Sequence, residues 1–367
     1  MKKFKPVWLV FVLQSSKGVV ILVRKNNFFV VVKLVCMGVM FAAFFVGCNN
    51  SGNDGRPRHA IVVKSQSNSY FERIIEGFTA VVEQQGAAAI VKAPSRATAE
   101  EQITIINSLI TDGVDSISIA TNSESALAPV LSRAIEQGIK VQSFDSAAYP
   151  ASRALHVNQA DAKIIARTLM DAAADITGGS GQIAIMSTTT QANNQNRWIA
   201  AMRALLEAGE YPGLMLVSIV YGKDDYDITY ERTQFLIDTF PELVLIIAPT
   251  AAGIPAVAAC ITNNGVEYRL RVTGLGMPSQ MAQFIGADKA CPYMFLWDLD
   301  EVGKLTAYSA IALVDGAISG EVGERLTAGE MGEYFITSDP FGGSEIVLQA
   351  MPIRFDESNI GYWKEIY

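Results

Sequence analysis

Residues 114–146, VDSISIATNSESALAPVLSRAIEQGIKVQSFDS, decide the fold. Residues 116–120 form a short β-branched run, 124–137 a helical pattern closed by Gly138 at the C′ position, and 139–144 a second apolar run. A strand, a helix and a strand in that order make a βαβ unit on a parallel sheet. The same unit repeats on the N-terminal side, with strands at 60–64 and 88–92 and a helix at 70–85 ended by Gly86. Thr98-Ala99-Glu100-Glu101 has the spacing of a capping box opening the next helix. Beyond a loop at 145–153 the alternation restarts: helix 161–174, strand 182–186, helix 196–208, strand 215–221, helix 228–239, strand 244–247, helix 255–261 and strand 269–275. Two runs of parallel units in 367 residues imply two doubly wound lobes, and two lobes imply a cleft.

In such sheets a ligand sits beyond the carboxyl ends of the strands. Those ends read Lys64-Ser65-Gln66-Ser67-Asn68, Ala120-Thr121-Asn122, Asp145-Ser146, Ser187-Thr188-Thr189-Thr190, Pro249-Thr250-Ala251 and Gly276-Met277-Pro278-Ser279. Small neutral hydrogen-bonding groups dominate, with one Lys and one Asp, which suits an uncharged polyhydroxylated ligand better than a phosphate or a dicarboxylate.

The N-terminus carries a different message. Residues 1–47 hold seven of the 29 basic residues and no acid, so the remainder sets 22 basic against 37 acidic side chains, a net charge of −15. So acidic a body lacks the Lys/Arg face that nucleic-acid binding needs. Lys33, the apolar run 34–46, then Gly47-Cys48 and the polar stretch 49–54 have the form of an export signal, too short for a membrane span of about 20 apolar residues. Phe45-Val46-Gly47-Cys48 resembles a bacterial lipobox, which makes Cys48 the lipidated first residue of the mature chain, tethered by 48–57, and places the protein at the periplasm or cell surface. A second apolar stretch at 7–23, interrupted by Gln14, Ser15, Ser16 and Lys17, reads as sequence upstream of the true translation start and carries no assigned function. Of the two cysteines left, Cys260 and Cys291, an oxidising compartment permits a disulfide, and two separate buried thiols fit equally.

Phe144-Asp145-Ser146, Val157-Asn158-Gln159-Ala160, Asn194-Gln195-Asn196-Arg197-Trp198, Tyr221-Gly222-Lys223-Asp224-Asp225, Ile247-Ala248-Pro249-Thr250, Val272-Thr273-Gly274-Leu275-Gly276, Met277-Pro278-Ser279-Gln280-Met281 and Leu296-Trp297-Asp298 together resemble the type I periplasmic sugar-binding proteins, from about residue 58 to the C-terminus. Within that superfamily the chain looks most similar to the rhamnose-binding proteins and the related autoinducer-2-binding proteins. The resemblance implies an α/β fold of the periplasmic-binding-protein type I, two three-layer αβα lobes joined by three crossovers. The N-terminal lobe is expected at 58–152 with 298–328, and the C-terminal lobe at 153–297 with 329–367. It also implies a monomer that closes on a small sugar and partners an ABC permease and ATPase, with no cofactor and no metal.

In the autoinducer-2 branch the ligand is held by a Lys after the first strand, an Asp after the fourth, an Asp-Gln pair and a Pro-x-Ala segment. Carried over, these fall on Lys64, Asp145, Asn194 with Gln195, and Pro249 with Ala251. Asn194 departs from that branch and matches the rhamnose branch, so a deoxy-hexose is the expected ligand. Asn68-Ser69-Tyr70-Phe71 aligns with the stacking segment of ribose binders, whose Asp is missing at Gly276, which argues against ribose.

Sugar capture needs hydroxyl partners and a flat apolar surface. Asp145 accepts hydroxyl protons, Lys64 donates, and Asn194 and Gln195 do both. Asn68, Tyr70, Phe71, Trp297 and Asp298 complete the candidate set, with Tyr70, Phe71 and Trp297 as the surface for the sugar's C–H face. Trp198, with Ala201 and Leu205 at i+3 and i+7, reads as core. His59 and His156 are isolated and receive no role. No Walker A loop, nucleophile elbow, zinc-protease motif or complete dinucleotide fingerprint appears, so no catalytic residue is assigned. A sugar-responsive repressor would carry a basic helix-turn-helix where this chain has its export signal. A sensor docked to a chemoreceptor would share the same two lobes, which leaves transport and sensing as the two functional expectations.

Overall fold

The computed structural model describes residues 9–15, 18–25, 28–33 and 55–367, apart from Ser67 and Ala350. The expected apolar run of the signal and Cys48 lie outside the described residues. The N-terminal segment is an antiparallel meander of β1 (Leu9–Ser15), β2 (Gly18–Lys25) and β3 (Phe28–Lys33), with Leu9 opposite Arg24 and Val20 opposite Lys33.

From Gly55 onward the chain is one unit. Its first lobe opens with β4 (Arg58–Val62), α1 (Ser69–Gln84), β5 (Ala88–Lys92), α2 (Ala99–Asp112), β6 (Ser116–Ile119), α3 (Glu124–Glu136), β7 (Lys140–Phe144) and β8 (His156–Ala160). The second lobe holds α4 (Ala162–Thr177), β9 (Ser180–Ser187), α5 (Asn193–Glu207), β10 (Gly213–Tyr221), α6 (Tyr226–Thr239), β11 (Leu243–Ala248), α7 (Ile254–Asn263), β12 (Arg271–Gly274), α8 (Pro278–Met281) and β13 (Tyr293–Leu296). The chain then returns through α9 (Leu299–Val314), β14 (Arg325–Thr327), β15 (Glu333–Phe335), β16 (Thr337–Ser338) and β17 (Ser344–Gln349), and ends with β18 (Ile353–Asp356) and α10 (Ile360–Trp363).

Side-chain caps fix where the helices begin. Thr98 accepts from the Glu101 amide, Ser123 from Ala126, Asp161 from Lys163 and Ile164, and Asp225 from Ile228, each satisfying amides that the first helical turn leaves open. The expected capping box at Thr98 is only half formed. The Glu101 carboxylate takes the amides of Ser95 and Arg96 instead, because the preceding turn folds over the helix end.

The first sheet runs β16-β17-β8-β7-β6-β4-β5, parallel except for β16 against β17. The second runs β10-β9-β11-β12, and a parallel bridge from Leu275 to Phe295 carries it on to β13, which pairs antiparallel with β18. The chain crosses between sheets after β8, after β13 and after β17, which gives the three crossovers. The expected lobe boundaries need correction by this pairing. Residues 156–160 and 337–349 belong to the first sheet rather than the second lobe, because β8 continues the β7 edge and β17 adds beside it, with Ile346 opposite Val157.

Helices α1 and α9 pack on one face of the first sheet with unusually close backbones. A Cβ on Gly303 would collide with the carbonyl of Ile74 and stand 2.8 Å from the Phe78 amide, and one on Gly77 would strike the carbonyl of Asp300. Gly303→Ala therefore forces the helices apart, and a loss of about 1–3 kcal/mol is expected in urea unfolding; a change under about 0.5 kcal/mol would show that the helices yield freely.

Candidate functional site

The carboxyl ends of both sheets face one crevice, and one carboxylate organises it. Asp145 follows β7 with φ of +54°, a left-handed conformation that Asp tolerates better than most residues. Its amide donates to the Val157 carbonyl at 3.3 Å, so the neighbouring strand helps hold the turn. The carboxylate is 4% exposed and gathers four donors: Tyr70 Oη at 2.8 Å and Gln159 Nε2 at 3.5 Å on Oδ1, Lys64 Nζ and Asn194 Nδ2 at 3.5 Å on Oδ2. Three of the four contacts are long for hydrogen bonds, so Oδ2 and part of Oδ1 keep acceptor strength for other donors.

Lys64 lies just beyond β4, its side chain 11% exposed. Asn122 anchors it by donating to its carbonyl at 2.9 Å, and Gln102 holds Asn122 by accepting from the Asn122 amide at 2.8 Å. Tyr70 is buried and bonded on both sides, donating to Asp145 and accepting from Trp297 Nε1 at 3.0 Å. Burial, with the Asp145 charge beside it, pushes the phenol well above its usual range, so it acts as a fixed neutral donor. Around it Phe71, Trp297 and Trp198 meet edge to face, with centroids 5.0 Å apart for Tyr70 and Phe71, 6.2 Å for Tyr70 and Trp297, and 6.0 Å for Trp198 and Trp297.

The second lobe supplies the facing wall. Asn194 and Gln195 stand in the first turn of α5; Gln195 Oε1 accepts from Ser187 Oγ at 2.7 Å and from the Thr188 amide at 3.0 Å, which leaves its amide nitrogen for the crevice. Pro249, Thr250, Ala251 and Ala252 line the crevice after β11, with Leu275 and Leu296 beside them. Asp224, also left-handed with φ of +54°, accepts from Thr250 Oγ1 at 3.4 Å. Burial raises its pKa, the Lys64 charge opposes that rise, and the Asp145 charge adds to it.

The structure thus brings together Lys64, Asn68, Tyr70, Phe71, Asp145, Asn194, Gln195, Pro249, Ala251 and Trp297. Asp298 does not join them: it caps α9 by accepting from the Glu301 amide at 3.1 Å and bonds Tyr367. Six crevice residues have no assignment from the sequence: Ala252, Leu275 and Leu296 add apolar wall, and Trp198, Asp224 and Thr250 add aromatic and polar groups. Trp198 was expected in the core, and it packs there while also lining the crevice. Asp224 and Thr250 follow strands, which is the signal that could have found them, but Asp225 beside Asp224 carries the cap signature and masks it.

His59 and His156 are buried against Ser116 and Ser143, and burial lowers both pKa values, so each is a neutral core partner. Cys260 and Cys291 are separate buried thiols, and burial pushes the Cys260 thiol up to about 11. Among the described residues no cluster of three or more His, Cys, Asp or Glu could hold a metal.

Polar contacts draw the lobes together around the crevice. Asn193 Nδ2 donates to the Ala147 carbonyl at 2.7 Å and to Glu124 at 3.1 Å, Gln280 donates to Ser69 Oγ at 2.9 Å, and Arg197 lies 3.6 Å from Asp339. Two α/β lobes with a buried acid, an amine and an aromatic wall between their strand ends have a counterpart in sequence: the profile described as "Periplasmic binding protein domain" matches residues 59–318. The chain belongs to the periplasmic binding protein family. A solved family member, an ABC transporter solute-binding protein from Clostridium phytofermentas with bound L-rhamnose, is 42% identical, with a TM-score of 0.83 over 85% of this chain and 99% of that one. LsrB from Clostridium saccharobutylicum, in complex with AI-2, has the same fold at 18% identity, with a TM-score of 0.77 over 83% and 98%. The D-ribose/D-allose-binding protein of Pseudomonas aeruginosa is 24% identical over 233 residues, 60% of this chain and 70% of the relative.

Proposed function

We propose that this chain is the extracytoplasmic solute-binding lipoprotein of an ABC sugar importer, capturing a neutral monosaccharide of the L-rhamnose type between its lobes. The observation that carries the reading is the Asp145 carboxylate, buried among Lys64, Tyr70 and Asn194 with acceptor strength to share and an aromatic wall beside it. Ring hydroxyls satisfy such an acceptor, and the ring's C–H face covers the aromatics. The 42% identical relative with L-rhamnose bound supports the choice of sugar. Micromolar binding requires about −8 kcal/mol, and charged hydrogen bonds at roughly 1.5–3 kcal/mol each, with a few neutral ones at about 1 kcal/mol, reach it.

Ligand-driven closure would present the permease with a surface that only the engaged lobes form. Lipidation at Cys48 would hold the protein at the membrane, and incorporation of labelled palmitate, lost in Cys48→Ala, tests that part. For the ligand, the mature domain is expected to melt several degrees higher with millimolar L-rhamnose than without it. A shift with autoinducer-2 and none with rhamnose would move the protein to the signalling branch. A chemoreceptor-coupled sensor would bind the same sugar, yet deleting its gene would leave rhamnose uptake intact.

A further inference from the structure

Behind Asp145, away from the crevice, lies a second and larger cavity of about 270 Å³. By the same measure the crevice beside Asp145 holds about 50 Å³, so this is the roomier of the two spaces. It lies between α5 of the second lobe and the edge of β8 and β17 in the first, reaches solvent beside Lys163 and Phe341, and shares a wall with the crevice, since Asp145, Asn194 and Trp198 line both.

Its chemistry selects a class of ligand. Gln159 lines it and is 1% exposed, and its Oε1 is a buried acceptor without a hydrogen-bond partner among the described residues. Asn193 also lines the cavity, and its Oδ1 is a second such acceptor. Two orphaned acceptors call for a ligand rich in donors. Four carboxylates border the space, Asp145, Asp161, Asp339 and Glu345, against the cations Lys163 and Arg197, so an anion is disfavoured. Trp198 and Phe341 supply apolar surface, and Arg197 covers the Phe341 ring at 4.0 Å, which fixes that side of the wall. Donors, no negative charge and an apolar face describe a second neutral polyhydroxyl ring.

We infer that this cavity is a second sugar subsite, continuous with the crevice, and that the protein takes a disaccharide whose first unit sits on Asp145 and whose second unit fills the space behind it. Asn194 stands between the two: its Nδ2 reaches Asp145 at 3.5 Å while its Oδ1 accepts from the Gln195 amide at 2.9 Å, and turning the side chain aside joins the spaces. The inference rests on the proposed sugar-binding function and sharpens it, from a monosaccharide to a rhamnose-containing disaccharide.

The test compares L-rhamnose with the rhamnosyl-glucoses rutinose and neohesperidose by calorimetry on the mature protein. Ala201 and Ala162 line the cavity and not the crevice, so Ala201→Phe and Ala162→Met fill the second subsite and spare the first. The expected result is that at least one disaccharide binds as tightly as rhamnose or tighter. Either filled variant should then lose at least tenfold in disaccharide affinity while keeping its rhamnose affinity within about threefold, which also certifies its folding. Rhamnose binding with no disaccharide binding, or disaccharide binding indifferent to both fillings, would overturn the subsite and make the cavity a solvent pocket, with the proposed function left standing. Absence of binding by rhamnose and both disaccharides would overturn both readings together.

Discussion

Asp145→Asn is expected to lower L-rhamnose affinity by at least a hundredfold, read by titration calorimetry. Asparagine keeps the shape of the side chain and tolerates the left-handed backbone at φ of +54°, so the change isolates the charge. The variant's amide presents one acceptor oxygen where the carboxylate has two, and it takes from the Lys64 ammonium, 11% exposed, its paired carboxylate, leaving Asp224 as the nearby acid. Hydrogen bonds from ligand hydroxyls to a charged group are worth about 1.5–3 kcal/mol each, and a hundredfold corresponds to about 2.7 kcal/mol at 1.36 kcal/mol per tenfold. Asp145→Ala should lose more, since it adds a strained backbone to the lost acceptor. Affinity of the Asn variant within threefold of the parent would remove Asp145 from the ligand's first contacts.

The largest stability effect is expected at Arg153. Its guanidinium donates to the carbonyls of Ala148 at 2.9 Å, Ser344 at 2.7 Å and Gly342 at 2.9 Å, and to Asp339 Oδ2 at 2.7 Å, with both charged side chains 1% exposed. One side chain thereby ties the loop after β7 to the turn between β16 and β17, at the edge of the first sheet. Arg153→Met fills much of the space but strands a carboxylate and three carbonyls, with Arg197 at 3.6 Å as the remaining counter-ion of Asp339. A cost of about 3–5 kcal/mol follows. At roughly 2–4 °C per kcal/mol for a domain of this order of size, the melting temperature should fall by about 10 °C in calorimetry. A fall below about 3 °C would mean that the network is replaceable by packing.

Arg153 also marks where sequence reading stopped. The βαβ units from 58 to 144 and from 161 to 275 were legible because each helix carries a cap or a terminal glycine and each strand a β-branched run. Strand β8 was not. His156, Asn158 and Gln159 make it polar, since its partners are Ser143, Asp145 and Glu345 rather than core side chains. The returning strand β17 follows a Gly-Gly turn and lies some 190 residues from its partner β8, a pairing that no local pattern announces. Strand-end position and family resemblance together point to Lys64, Asp145 and the α5 pair, which share one crevice. Asp224 is masked by Asp225 beside it, whose helix-cap signature draws the reading, and Asp298 sits in a cap rather than the crevice because a helix cap and a ligand contact share the same residue type at a strand end.

The three passages of chain between the sheets act as a mechanical linkage. A single strap would let the halves twist and slide, whereas three straps resist both. The placing of Asn194 against Asp145 is therefore stored in the covalent path as well as in their 3.5 Å contact.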